Sequence, residues 1–93
     1  MATLATLTLK RGVITKIVTA ETEGWIRDLT RTSEVFWTWR ATGGSAPTEE
    51  EISDEGALLF PGPAIDAEID SPTSIDVYAV SLSADSKIRT DLP

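Results

Sequence analysis

The sequence contains neither cysteine nor histidine. The lack of cysteine excludes disulfide bonds and thiolate chemistry. The lack of histidine removes the commonest general base and the commonest ligand of transition metals. A zinc site built from these residues and a Ser-His-Asp triad are therefore excluded. We predict that the chain uses no cofactor and no metal ion.

The chain also lacks a long apolar run. The N-terminal segment Met1–Leu9 alternates with threonine, and the basic pair Lys10-Arg11 follows it. A secretory signal has the opposite order and a continuous apolar stretch, and a membrane span is far longer. These features predict a soluble protein that is made in the cytoplasm and has no membrane partner.

Basic residues are scarce, and the net charge is -7. Residues 46–93 hold eleven acidic side chains against two basic ones, whereas residues 1–45 carry a small positive excess. This balance argues against nucleic acid as a partner. The acidic run Glu49–Glu55 holds five carboxylates, which would suit either a solvated surface or a basic patch on a neighbouring subunit.

Short strand-like segments fill most of the chain. The aromatic segment Val35–Ala41 alternates, with Trp37 and Trp39 on one face, and predicts a central strand whose tryptophans are largely buried, in the core or at a subunit contact. Other segments have β-branched or alternating sequences bounded by turn residues such as Pro61-Gly62-Pro63, and they are 3–9, 13–19, 25–29, 57–60, 64–69, 74–82 and 87–90.

A single helical signal interrupts these strands. Thr48 with Glu51 fits a capping-box pattern, and because Gly56 follows closely we expect at most one short helical turn near residues 48–54, or else an exposed acidic loop. The whole pattern predicts an all-β protein, a small antiparallel β-sandwich or barrel of seven to eight short strands. The 93 residues form one domain, in which residues 1–10 are either a docking arm or an edge strand.

Two binding hypotheses compete with structural interpretations. Asp66, Glu68 and Asp70 alternate along one strand, and with Asp76 nearby they would offer oxygen ligands to calcium, although a solvated outer face also requires this pattern. The tryptophan pair would form a sugar-stacking platform if exposed, or a core or subunit contact if buried. So small a chain has little room for a catalytic cleft, and we expect no enzyme activity.

Three segments follow one another along the second half of the chain: Leu59–Gly62, Val77–Ser81 and Lys87–Arg89. In the order and spacing of these segments, the chain resembles the small β-sandwich structural proteins of tailed bacteriophages. This resemblance implies a non-enzymatic virion component that decorates or stabilises a capsid, or else a head or tail accessory protein. Its implied partners are the major capsid protein or another virion protein, and copies of itself, with a trimer as the hypothesis. It also implies assembly in the host cytoplasm.

Interface candidates follow from these interpretations. Ala2–Leu9 is predicted to dock on a neighbouring sheet rather than to form a core strand, because neither of its faces is strongly apolar. Tryptophan and arginine are enriched at interfaces, and the acidic run is a second contact candidate. The candidate residues are Leu4, Leu7, Leu9, Trp37, Trp39, Arg40, Glu49, Glu50 and Glu51. A carbohydrate- or receptor-binding module on the particle surface is the alternative function.

Overall fold

The computed structural model describes residues 3–30, 33–60 and 66–93. Its elements are β1 (Thr3–Leu9), β2 (Thr15–Asp28), β3 (Val35–Ala41), α1 (Glu49–Glu55), β4 (Ala57–Phe60), β5 (Asp66–Ser81) and β6 (Ser86–Leu92). The strands form one sheet in the order β1-β6-β2-β5-β3-β4, and neighbouring strands pair antiparallel. The all-β prediction is confirmed. The predicted turn at Pro61–Pro63 lies outside the described residues.

The prediction of seven to eight strands is wrong, because two pairs of predicted strands are continuous. Segments 13–19 and 25–29 merge into β2, and segments 64–69 and 74–82 merge into β5. The apparent breaks in the two strands lie opposite each other, since Glu21 pairs with Ile75 and Glu23 pairs with Asp70. Shifts in the pairing register absorb the extra residues there, so both strands continue through the irregularity.

The main core shows that the sheet is strongly curled. In a flat sheet β1 and β5 would lie about 14 Å apart, because β6 and β2 lie between them. Yet the Gly12 amide, just after β1, donates a hydrogen bond to the carbonyl of Ser81 at the end of β5 (2.8 Å). Leu9 of β1 and Leu59 of β4 line one buried cluster. The sheet therefore wraps its two ends around one core. The strand pairing shows one continuous sheet. It does not show the predicted sandwich or barrel.

Helix α1 covers the other side of β5. Thr48 caps it as predicted: its hydroxyl accepts a hydrogen bond from the Glu51 amide (3.2 Å), and the Glu51 carboxylate accepts one from the Thr48 amide (2.9 Å). The helix buries Ile52 completely in a second cluster with Tyr78 and Val80. As a result β5 is buried on both faces from residue 75 to residue 81, as a central strand should be.

Candidate functional site

A cleft lies beside the aromatic strand, between β3 and the segment where β5 changes register. Trp37 and Trp39 form its β3 side, while Ile69, Ile75 and the stretch 68–73 form the opposite side. Its volume is about 250 Å³. The prediction that Trp37 and Trp39 share a face is consistent with their place in one cleft. We call it the Trp37–Trp39 cleft.

The two tryptophans differ in burial. Trp37 is half-buried and packs against the main core, whereas Trp39 has 54% of its surface exposed. Burial in the core is therefore wrong for Trp39, whereas burial at a subunit contact stays a prediction. The reason is the course of the strand: Val35 is fully buried at its start, and Ala41 is exposed at its end. The face of β3 that carries both tryptophans therefore lies in the core at Val35 and outside the core at Ala41.

Polar groups lie along the β5 side of the cleft. Glu68 and Asp70 are exposed, and the Ser71 hydroxyl donates a hydrogen bond to the Thr73 carbonyl (2.7 Å). An exposed indole offers a flat surface for stacking and a negative ring face for a cation. Glu68 and Asp70 alternate with the buried Ile69, so their carboxylates project to the other face of β5. The cleft thus combines an aromatic stacking surface with the polar groups of residues 71–73.

Asp76 does not join the carboxylates that suggested a calcium site. Its side chain is 2% exposed and accepts hydrogen bonds from the backbone amides of Ala20 (2.9 Å) and Gly43 (3.4 Å). Lys16 places its ammonium nitrogen 3.5 Å from the same carboxylate. Among residues 3–30, 33–60 and 66–93, no three potential ligands gather into a metal-binding group. The constellation that would have favoured calcium is therefore not assembled in this part of the chain.

The partners of Asp76 give it a structural role. The hydrogen bond from the Ala20 amide is the main cause that lowers the pKa of Asp76, with smaller contributions from Gly43 and Lys16, while desolvation opposes them. Ala20 itself has a left-handed backbone with φ 53°. The carboxylate thus ties the irregular part of β2 and the loop after β3 to the central strand. Its charge is satisfied within the chain.

The acidic run forms a helix, and two of its glutamates form ion pairs with an arginine of the same chain. Arg40 contacts Glu51 (Nη2 to Oε2, 3.5 Å) and also forms an ion pair with Glu55. Hydrogen bonds from Thr48 lower the pKa of Glu51, and Arg40 adds to this effect. The two predicted alternatives were a fully exposed loop and a basic patch on a neighbouring subunit. Glu51 and Glu55 keep about half of their side-chain surface exposed, so full exposure is wrong for them, and Glu49 and Glu50 are exposed as well. Contact with a neighbouring subunit stays a prediction.

The three leucines of the N-terminal segment have different environments. β1 pairs along its whole length with β6 at one end of the sheet. Leu9 is fully buried in the main core, Leu7 packs against that core, and Leu4 is 60% exposed. Leu9 is therefore a core residue, contrary to the prediction that the segment only docks. Leu4 alone of the three projects an apolar side chain outward.

Sequence reasoning missed a second exposed tryptophan. Trp25 is 47% exposed on β2, with Glu23 and Arg27 two residues away on either side. The alternation Glu23-Trp25-Arg27 was the available signal. It was hidden because Gly24 suggested that the strand begins at Trp25. Read through that glycine, the sequence places all three side chains on one outward face.

Comparison of the chain with models of protein families, with curated proteins and with solved structures finds no match. Within the described residues, no helix is both long enough and apolar enough to cross a membrane.

Proposed function

We propose that the chain is a non-enzymatic virion protein of a tailed bacteriophage, most simply one that decorates or stabilises the capsid. The observation that carries this proposal is the exposure of large apolar side chains on a small domain. Two of the three tryptophans, Trp25 and Trp39, are about half exposed, and Leu4 and Val13 are more than half exposed. Tryptophan is enriched where proteins bind each other and is a frequent source of binding energy.

The architecture supports docking in a second way. β1 and β4 are the edge strands of the sheet, and an edge strand offers backbone groups to which a partner strand can add.

We also propose that the curled sheet packs as two layers, with its β1–β6 end over its β3–β4 end. Such a domain would be assembled in the host cytoplasm and would gain stability on the particle, because binding stabilises the folded state.

Co-sedimentation with phage particles that lack the protein tests this function. We expect the native chain to sediment with the particles and to saturate at a fixed ratio to the major capsid protein. Trp39→Ala should lower the occupancy at a given concentration, whereas Thr22→Ala, at an exposed position that does not line the cleft, should not. A native chain that stays in the supernatant at all concentrations would refute the docking function.

A carbohydrate- or receptor-binding module is the second candidate function. It is favoured by the exposed ring of Trp39 in a cleft that is also lined by Ser71 and Thr73. Titration with a panel of oligosaccharides, followed by tryptophan fluorescence, separates this candidate from the first. Saturable quenching that Trp39→Ala abolishes and Thr22→Ala retains would support it. Unchanged emission with every sugar would leave the docking function as the better account.

A further inference from the structure

β1 is an edge strand that lacks the features by which sheet edges are usually protected. Within the described part of the chain it pairs with β6 alone, over seven consecutive residues and without a shift in register. It contains neither a charged residue nor a proline, both of which discourage the addition of another strand. The other edge strand, β4, has only four residues and pairs irregularly with β3. Of the two edges, β1 is therefore the one that can accept a further strand.

Backbone hydrogen bonding shows which groups of β1 point away from the sheet. The Leu29 amide donates a hydrogen bond to the Lys87 carbonyl (2.8 Å), so the backbone groups of Lys87 point toward the β2 side of β6. Backbone groups alternate in direction along a strand, and those of Ile88 therefore point toward its β1 partner, Leu7. By the same alternation, three residues of β1 direct their N–H and C=O groups away from β6, and they are Leu4, Thr6 and Thr8.

The same stretch of β1 is uncovered on both of its faces. Leu4, Thr6 and Thr8 are exposed on the outward face, and Ala5 is exposed on the inward face. The hydrogen bond between Gly12 and β5 lies beyond these residues along the chain. The backbone groups that point away from β6 are therefore accessible to a strand that approaches along β1.

We propose that β1 pairs antiparallel with β1 of a second copy, about a two-fold axis that passes through Thr6 perpendicular to the sheet. In this register Thr6 faces the partner's Thr6, and Leu4 faces the partner's Thr8. Because all of these residues direct their backbone groups at the partner strand, each of the three facing pairs forms two hydrogen bonds. The rotation also keeps both inward faces on the same side, where Ala5 lies beside the partner's Leu7.

The composition of β1 favours a second copy as the partner. Each chain has a net charge of -7, and β1 is a segment through which two such chains can meet without opposing like charges. Threonine faces threonine at the axis, which is a favourable cross-strand pair. Ala5 is exposed although Leu7 and Leu9 of the same face pack in or against the core. The partner's Leu7 would cover it and so extend the apolar inward face.

The size of the contact sets its expected strength. Seven residues of a strand span about 24 Å, and one strand of each copy takes part. Such an area is at the low end for protein interfaces, so we expect the dimer to dissociate on dilution through the micromolar range. Since both copies carry the same net charge, added salt should strengthen their association by screening the long-range repulsion.

Sedimentation velocity across a range of concentrations tests the dimer with a matched pair of variants at the axis. Thr6→Pro removes an amide that points away from β6, and edge strands tolerate proline at such positions. Its dissociation constant should rise about thirtyfold, because two of the hydrogen bonds between the copies are lost. Thr6→Ala keeps the amide and should raise the dissociation constant by about fivefold at most.

A charge exchange tests the two-fold axis itself, because residue 6 of one copy faces residue 6 of the other. Thr6→Lys and Thr6→Glu should each weaken self-association about fivefold, since like charges then face each other. Mixed together, the two variants should associate more tightly than either does alone. Thr22→Lys makes the same change of charge at an exposed position outside β1 and should not weaken self-association. Circular dichroism and thermal melting verify that each variant is folded.

Amide hydrogen exchange measured by NMR tests the register residue by residue without any substitution. The amides of Leu4, Thr6 and Thr8 should exchange rapidly in dilute solution and slowly at high concentration, because they are bonded only in the dimer. The amides of Ala5 and Leu7 should exchange slowly at both concentrations, since they bond to β6.

Three results would overturn the proposal. The first is a native chain that remains monomeric up to millimolar concentration. The second is an association in which the amides of Leu4, Thr6 and Thr8 gain no protection, which would place the contact elsewhere. The third is a mixture of the folded lysine and glutamate variants that associates no better than each variant alone. A dimer forms or fails to form whether or not the chain sediments with phage particles, so this inference and the proposed function fail separately.

Discussion

Leu9→Ala should strongly destabilise the domain, because Leu9 anchors β1 in the main core. Its side chain has no exposed surface and lies in the cluster that also contains Ile88 and Val35. Truncation of a buried leucine costs about 2–5 kcal/mol, and we expect about 3 kcal/mol because a terminal strand can partly relax into the space. For a domain of this size, that loss lowers the melting temperature by roughly 12–24 °C.

Leu4→Ala is the matched control for this change. Leu4 lies on the same strand but is 60% exposed, so its truncation should alter the free energy of unfolding by about 0.5 kcal/mol or less. Urea unfolding followed by circular dichroism measures both variants on one scale. Equal and small effects of the two substitutions would show that β1 is not part of the folded core. Residues 3–9 would then be a strand that the domain does not need in order to fold.

Three further predictions address the helix, the buried carboxylate and the aromatic cleft. Thr48→Ala should destabilise the domain by about 1 kcal/mol in urea unfolding, because it removes the helix cap, and Thr48→Ser should restore most of this loss. The folded-state pKa of Asp76 is lowered, so the stabilisation it provides is present above the unfolded pKa of about 3.9 and is lost as pH falls through the folded value. The free energy of unfolding should therefore fall with acidification below about pH 4. Asp76→Asn should flatten that fall, and Asp70→Asn at an exposed position should not; equal slopes would contradict the assignment. Iodide should quench part of the native tryptophan emission, and Trp39→Ala should reduce the quenchable part, whereas an unchanged quenchable part would show that Trp39 is shielded.

Local signals in the sequence predicted the all-β class and the cap of the helix, but not the full length of the helix. The Thr48 and Glu51 pair predicted the cap because capping depends on residues three positions apart in the chain. Alternation placed Ile69 inward and Glu68 and Asp70 outward, as the structure has them. These features are decided within a few residues. They do not depend on which strands become neighbours.

Long-range packing accounts for what the sequence did not reveal. The composition of a turn is found in both Glu21–Gly24 and Ser71–Pro72. In the structure the two segments lie opposite each other in the β2–β5 pair, where they form a single irregularity in two continuous strands. The exposure of Trp39 depends on where the core ends along β3. The partner of Glu51 and Glu55 is Arg40, which lies on a different element. No local pattern of residues determines these contacts.

The presence of the chain in purified phage particles is the measurement closest to the central claim. Particles banded on a density gradient and washed at moderate ionic strength should contain the chain at a constant ratio to the major capsid protein. Imaging of the same particles should show added density on the shell that is missing from particles made without the gene. Particles with no trace of the chain, and with shells identical in its presence and absence, would contradict the account.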